Sequence, residues 1–183
     1  MTPNRSNAHA ALRADLLLVA FLIGIDVLAR LIPHAPNFTP IAASALFAGS
    51  VLRYRGLALL VPVSAMLLAD AVLGFDDWRM RVVIYAAISL PALVAFLPRR
   101  LRAPGMFAPV MIAGSLLFFV VTNFAVWAFG GLYPPTFAGL VACYVAALPF
   151  LQQNVVGDLF WAAVLFGGAA LVQMAPRLTR RSI

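Results

Sequence analysis

The feature that most constrains this chain is the spacing of its apolar runs. They cover residues 14–32, 41–52, 57–75, 82–97, 107–129 and 155–174, with a shorter one at 137–151. A helical membrane crossing takes about 20 such residues. Of 183 residues, 64% are hydrophobic and 10% charged, whereas a water-soluble domain carries about 25% charged residues. No fold of this size can hide so much apolar surface from water. The sequence therefore predicts an all-α, polytopic membrane protein. Six crossings use roughly 120 residues, which leaves too few for a separate soluble domain. The chain reads as a single transmembrane domain: a tail at 1–13, a helical bundle at 14–174 and a tail at 175–183. The second run is short for a crossing. Pro134, Pro135 and Pro149 bracket the 137–151 run, so a short interfacial or re-entrant helix is expected between the fifth and sixth crossings.

The charges give the orientation. All thirteen basic residues are arginine and all six acidic residues are aspartate. With the N-terminus inside, ten arginines fall in cytoplasmic segments: Arg5, Arg13, Arg53, Arg55, Arg99, Arg100, Arg102, Arg177, Arg180 and Arg181. The outer loops then hold only Arg79 and Arg81, with Arg30 near the outer end of helix 1. That asymmetry follows the positive-inside rule and predicts both termini cytoplasmic. The net charge of +7 is accounted for by arginines at a membrane surface, not by a nucleic-acid partner.

Several chemistries are excluded or poorly supported. A chain without lysine has no P-loop and no Schiff-base lysine. Two histidines, His9 and His34, and one cysteine, Cys143, make neither a multi-ligand zinc site nor an internal disulfide. No HExxH motif is present and no Ser-His-Asp set is evident, so an enzyme is not expected. No catalytic cofactor is expected either.

In this topology the polar residues within the membrane gather in its outer half. Asp26 and Arg30 sit at i and i+4 on helix 1 and can pair. Asp70 ends helix 3, Asn123 and Trp127 lie on helix 5, and Asp158 lies one turn into helix 6. The outer loops contribute His34, Asn37, Phe38 and Thr39, then Asp76, Asp77, Trp78 and Met80, then Tyr133; Tyr85 follows on helix 4. The inner half is nearly featureless. Ionisable residues in a crossing usually face the bundle interior, a partner or a water-filled cavity. The pattern predicts a pocket open to the outside and sealed below, unlike a channel, which needs polar lining through the full thickness.

Blander accounts compete at each position. Asp26 and Arg30 can be a structural pair that fixes helix 1, and Asp70 or Asp158 can pair with Arg30. Pro36-Asn37-Phe38-Thr39-Pro40 suits a rigid helix start. The aromatic residues suit an interfacial belt. Asp76-Asp77 suits a solvated turn. Cys143 suits a small packing residue, and Ala45, Gly49, Ala163 and Gly167 suit close helix packing.

Several stretches together resemble a known kind of membrane protein. They are Leu31-Ile32-Pro33-His34-Ala35-Pro36-Asn37-Phe38-Thr39-Pro40-Ile41-Ala42-Ala43, Leu68-Ala69-Asp70 with Gly74-Phe75, Thr122-Asn123-Phe124-Ala125-Val126-Trp127, and Gly157-Asp158-Leu159-Phe160. The pattern, over roughly residues 15–170, is similar to a bacterial family related to the substrate-binding S-components of energy-coupling-factor vitamin transporters, nearest the solitary cobalamin transporters. The resemblance implies an S-component-like bundle in the bacterial inner membrane, with a vitamin held under the outer loops. It implies cobalamin or another corrinoid as transported ligand and an energy-coupling module as partner. Cobalamin members carry a cysteine in the loop between helices 3 and 4 that approaches the cobalt. Here that loop has none, and Met80 offers a neutral thioether instead, so thiolate-dependent decyanation is not expected.

The expected function is capture of a vitamin-like solute for uptake. The alternatives are a different small vitamin or nucleobase-like solute, or a non-transport membrane scaffold. The candidate ligand-binding residues are His34, Asn37, Phe38, Thr39, Asp70, Asp76, Asp77, Trp78, Met80, Tyr85, Asn123, Trp127, Tyr133 and Asp158. Met80 and His34 are the candidates to approach a metal centre.

Overall fold

The computed structural model describes residues 5–75, 77–98, 100 and 103–179, and the described chain is all-helical. Six α-helices follow in order: α1 (Arg5–Leu31), α2 (Ile41–Val51), α3 (Leu60–Leu73), α4 (Trp78–Ser89), α5 (Phe107–Phe129) and α6 (Phe137–Thr179). A 3₁₀ turn, Arg55–Leu59, leads into α3, and another, Leu90–Phe96, continues α4. With those extensions, four helical stretches are long and apolar enough to cross a bilayer: Arg55–Leu73, Trp78–Phe96, Phe107–Phe129 and Phe137–Met174.

The second apolar run makes a short helix at the centre. Eleven residues rise about 16 Å, roughly half the hydrocarbon thickness of a bilayer. α2 is buried on nearly all sides, from Ile41 through Gly49, because Ala43, Ser44, Ala45, Ala48 and Gly49 let its neighbours close in. A Cβ at Gly49 would lie 2.7 Å from the Ala92 carbonyl oxygen and 2.9 Å from Val94 Cγ1. Only hydrogen fits there, so the 3₁₀ segment after α4 runs directly against α2. Pro91 is the second residue of that segment, where its missing N–H and its ring stop the α-helical ladder.

α1 and α2 run antiparallel, tied at both ends. Ser44 Oγ donates to Asp26 Oδ1 at 2.8 Å. At the other end the chain reverses after α2, and Asp15 Oδ2 accepts the backbone N–H of Arg53 at 2.9 Å and of Tyr54 at 2.8 Å. Those donors have no helical partner, and a buried polar group needs one. Asp15 is itself buried, so the half of the bundle expected to be featureless contains a structural carboxylate. Between the two ties lies the main core, in which Val19 and Leu22 of α1 meet Ala45 and Ala48 of α2, with Val61 of α3 and Ala92 beside them.

The expected short helix between the fifth and sixth crossings is not separate. Residues 137–151 and 155–174 belong to one 43-residue helix, α6. Pro134 and Pro135 lie ahead of it, and Thr136 accepts the Gly139 N–H at 3.1 Å through its side-chain oxygen, as a helix N-cap does. Of these three prolines only Pro149 sits inside. It removes one backbone bond, a loss that apolar helices packed on neighbours tolerate. That packing is continuous along α5: Tyr144 OH donates to the Val120 carbonyl at 2.6 Å, Ser115 Oγ to Asp158 Oδ2 at 2.6 Å, and Phe107 stacks on Phe166 at 5.3 Å. α5 and α6 are thus antiparallel over the full length of α5. At its start, α1 reaches back into the segment expected as an N-terminal tail, beginning at Arg5. Of the small residues noted above, Ala45 and Gly49 are packed tightly, whereas Ala163 and Gly167 are exposed, with nothing near the Gly167 Cβ position.

Candidate ligand-binding cavity

The loop at 32–40, the segment at Asp77 and the loop at 130–136 meet around a cavity of about 640 Å³. His34, Asn37 and Thr39 reach it from the first loop, Asp77 from the second, Gly130 and Leu132 from the third. Each position has a local cause. Asn37 takes a left-handed backbone conformation, φ 59°, which asparagine tolerates better than most residues, and Phe38 N–H donates back to the Ala35 carbonyl at 3.0 Å. Asp77 caps α4, its carboxylate accepting the N–H of Arg79 at 2.7 Å and of Met80 at 3.4 Å. The cap starts α4 so that Met80, Arg81, Ile84 and Tyr85 line one wall.

Two polar assemblies stand in that wall and floor. Arg30 Nη2 of α1 donates to Asp70 Oδ1 of α3 at 2.6 Å, and Tyr85 OH of α4 donates to Asp70 Oδ2 at 2.7 Å. One carboxylate thus joins three helices. On the opposite side, Asp158 of α6 is 3% exposed. Its Oδ2 accepts from Ser115 at 2.6 Å and from Asn154 Nδ2 at 3.2 Å. Ser115 comes from α5, and Asn154 lies one turn before Asp158 on the same face of α6. Both Asn154 and Asp158 line the cavity.

A smaller chamber of about 380 Å³ adjoins, sharing Asn37, Met80, Ile84, Phe118, Leu132 and Asn154 with the first. Asn123 and Tyr133 line this second chamber. Asn123 Nδ2 is turned back on its own helix, donating to the Phe119 carbonyl at 2.8 Å.

The structure therefore brings His34, Asn37, Thr39, Asp70, Asp77, Met80, Tyr85 and Asp158 to the larger chamber, and Asn123 and Tyr133 to the smaller. Three expected residues line neither. Phe38 turns away into α6, 5.6 Å from the Phe160 ring and 6.4 Å from Trp161. It fits there because Gly157 leaves room; a Cβ at 157 would lie 3.0 Å from Phe38 Cδ2 and 3.2 Å from Phe38 Cα. Trp127 Nε1 donates to the Pro134 carbonyl at 3.0 Å and so pins the third loop instead of covering a ligand. Trp78 is 67% exposed on the first turn of α4, pointing outward as an interfacial tryptophan does. Asp76 lies outside the described residues.

Of the pairings open to helix 1, the structure has Arg30 with Asp70 and not with Asp26. Asp26 and Arg30 share a face, but Asp26 binds Ser44 and Arg30 binds Asp70. Asp26 is fully buried between α1 and α2, where the Ser44 hydroxyl is the nearer partner. Asp158 likewise takes Ser115 and Asn154, not Arg30.

Sequence reasoning missed Met66, Arg81 and Asn154 as lining residues. Helical spacing pointed to all three, since Met66–Asp70, Arg81–Tyr85 and Asn154–Asp158 are each i, i+4 pairs on one helical face. Two methionines, Met66 and Met80, line the larger chamber. Among the described residues no three of His, Cys, Asp and Glu cluster to hold a metal ion.

The fold and the site together define a helical membrane protein with a cavity beneath three loops, whose largely apolar wall carries a few polar side chains. Residues 10–179 match a family of unknown function, DUF6580, and the chain belongs to that family. No curated protein and no solved structure matches it.

Proposed function

We propose that this protein is a solute-capturing membrane transporter of the S-component type, binding a vitamin-like solute in the loop-end cavity for uptake. In this proposal the chain crosses the bacterial inner membrane six times, with α2 as a short, protein-covered crossing. Both termini are cytoplasmic and the loop end faces outward. The arginine asymmetry supports that orientation, since Arg13, Arg53, Arg55 and Arg100 all belong to the end away from the cavity. The observation that carries the proposal is the one-ended cavity. Two loops and four helices converge polar side chains on it, while the core beyond, around Val19, Leu22, Ala45 and Ala48, is apolar. A small-molecule site is a concavity of roughly 300–1,000 Å³ with a few convergent polar groups. Tilting of the bundle would carry the solute inward, with energy supplied by an energy-coupling module.

The resemblance makes cobalamin or another corrinoid the first solute to test. Met80 would then approach the metal centre, with His34 beside it. The cavity volume favours a second solute class, a smaller vitamin or nucleobase-like compound, because a corrinoid would have to fill both chambers and lift the loops. Detergent-purified protein incubated with cobalamins should show a shifted visible spectrum and rescue cobalamin uptake in a deficient strain. A smaller solute should instead appear in native mass spectra of the purified protein. If neither occurs, and Asp70→Ala alters stability alone, the chain is a membrane scaffold.

A further inference from the structure

The two carboxylates of the cavity differ in how they are satisfied. Asp70 has a full guanidinium partner at 2.6 Å and a phenol on its other oxygen. Asp158 is more deeply buried, yet among the described residues its only partners are neutral, the Ser115 hydroxyl and the Asn154 amide. Both bonds fall on Oδ2; among the described residues Oδ1 has no hydrogen-bond donor, and Asp158 lines the cavity. The cations lining the cavity are engaged elsewhere. Arg30 is held by Asp70, and the Arg81 guanidinium lies 4.1 Å from the centre of the Phe75 ring. Asp26 is the other carboxyl with a serine as its hydrogen-bond partner, but it does not line the cavity. A carboxyl placed in a membrane crossing with no protein counter-charge, facing a cavity, is the pattern of a group completed by its substrate.

Resting on the uptake reading above, we infer that Asp158, held in place by Ser115 and Asn154, is a subsite for a cationic nitrogen of the solute. The solute would then be a small molecule bearing an ammonium or comparable charged nitrogen. Its apolar body would lie against Met66, Ile84 and Phe118 on the chamber walls. Ser115 and Asn154 fix the carboxyl rotamer, so one oxygen stays aimed at the ligand.

The test uses three fluorinated probes of one shape: 4-fluorobenzylammonium, 4-fluorobenzyl alcohol and 4-fluorobenzoate. Binding to the full chain in zwitterionic detergent is read by ¹⁹F line broadening, with protein-free micelles as the blank. A bond to a charged partner is stronger than one between neutral groups, so the ammonium should bind about tenfold or more tighter than the alcohol. Benzoate should bind weakest. In Asp158→Asn, which keeps the shape, the ammonium and the alcohol should bind alike. The inference is overturned if the alcohol or the benzoate binds wild-type protein as well as the ammonium does. It is also overturned if the preference survives Asp158→Asn. The wild-type series decides the matter even where the variant fails to fold. Ammonium selectivity without uptake of any vitamin removes the transport reading and leaves the subsite. Uptake without that selectivity does the reverse.

Discussion

Arg30 offers the sharpest test of the architecture, because two carboxylates compete for it. Asp26 lies one helical turn away on α1, and Asp70 comes from α3. The structure gives the pair to Asp70, with Arg30 Nη2 2.6 Å from Oδ1 and side-chain exposures of 28% and 11%. A charge-assisted bond of this kind contributes about 1.5–3 kcal/mol. The partial exposure of Arg30 brings solvent screening, so the lower part of that range applies. A double-mutant cycle on Arg30→Met and Asp70→Asn should therefore return a coupling of about 1.5–2 kcal/mol. The matching cycle on Arg30→Met and Asp26→Asn should return less than about 0.5 kcal/mol, the scatter found for residues without shared contacts. Unfolding in mixed micelles of rising SDS fraction, followed by tryptophan fluorescence, measures both. A coupling to Asp26 as large as that to Asp70 would refute the three-helix junction. Tyr85→Phe adds a check, since losing its 2.7 Å bond to Asp70 should lower stability by about 0.5–1.5 kcal/mol.

Three further outcomes follow from the packing and the loops. Asp15→Ala strips the acceptor from two backbone donors at the α2 reversal and should destabilise by about 2 kcal/mol in the same unfolding assay; a loss below about 0.5 kcal/mol would count against that tie. Gly49→Val places a branched side chain where even a Cβ meets the Ala92 carbonyl at 2.7 Å. The midpoint SDS fraction should fall by an amount equivalent to about 1–3 kcal/mol, and an unchanged midpoint would deny the close approach. Gly157→Val should push Phe38 out of its seat against α6 and shift Asn37 and Thr39 on either side of it. Solute binding to the purified, folded variant should weaken; binding at the wild-type level would separate the Phe38 seat from the cavity.

Much of the helical plan was legible from hydropathy, because length and apolarity alone set what can sit in a bilayer. The clustering of His34, Asn37, Asp70 and Tyr85 was legible too, since each lies in an outer loop or toward the loop end of its apolar run; Asp158, expected one turn into a helix, lies instead in the middle of α6. What the sequence hid was partner choice. Helical spacing made Asp26 and Arg30 neighbours, but across a packed bundle Ser44 and Asp70 are better placed, and only the three-dimensional register shows it. Pro149 misled for a related reason. A proline signals a break in water, whereas in an apolar helix lined by α5 the loss of one backbone bond is absorbed. Phe38 looked like a ligand contact because its flanks are polar. The decisive fact was an absent side chain at Gly157, far along the chain. Asp15 went unnoticed because its work is to satisfy backbone donors, which leave no trace in composition.

The uninterrupted run of α6 has a mechanical consequence. Forty-three residues make a rod of about 64 Å, and its apolar stretch of 38 residues measures about 57 Å. Submerging all of that in a hydrocarbon slab of about 30 Å would need a lean near 58° from the membrane normal, outside the 0–40° that spanning helices adopt. The rod must therefore stand proud of the lipid or swell the bilayer around it, and its resting angle should respond to acyl-chain length.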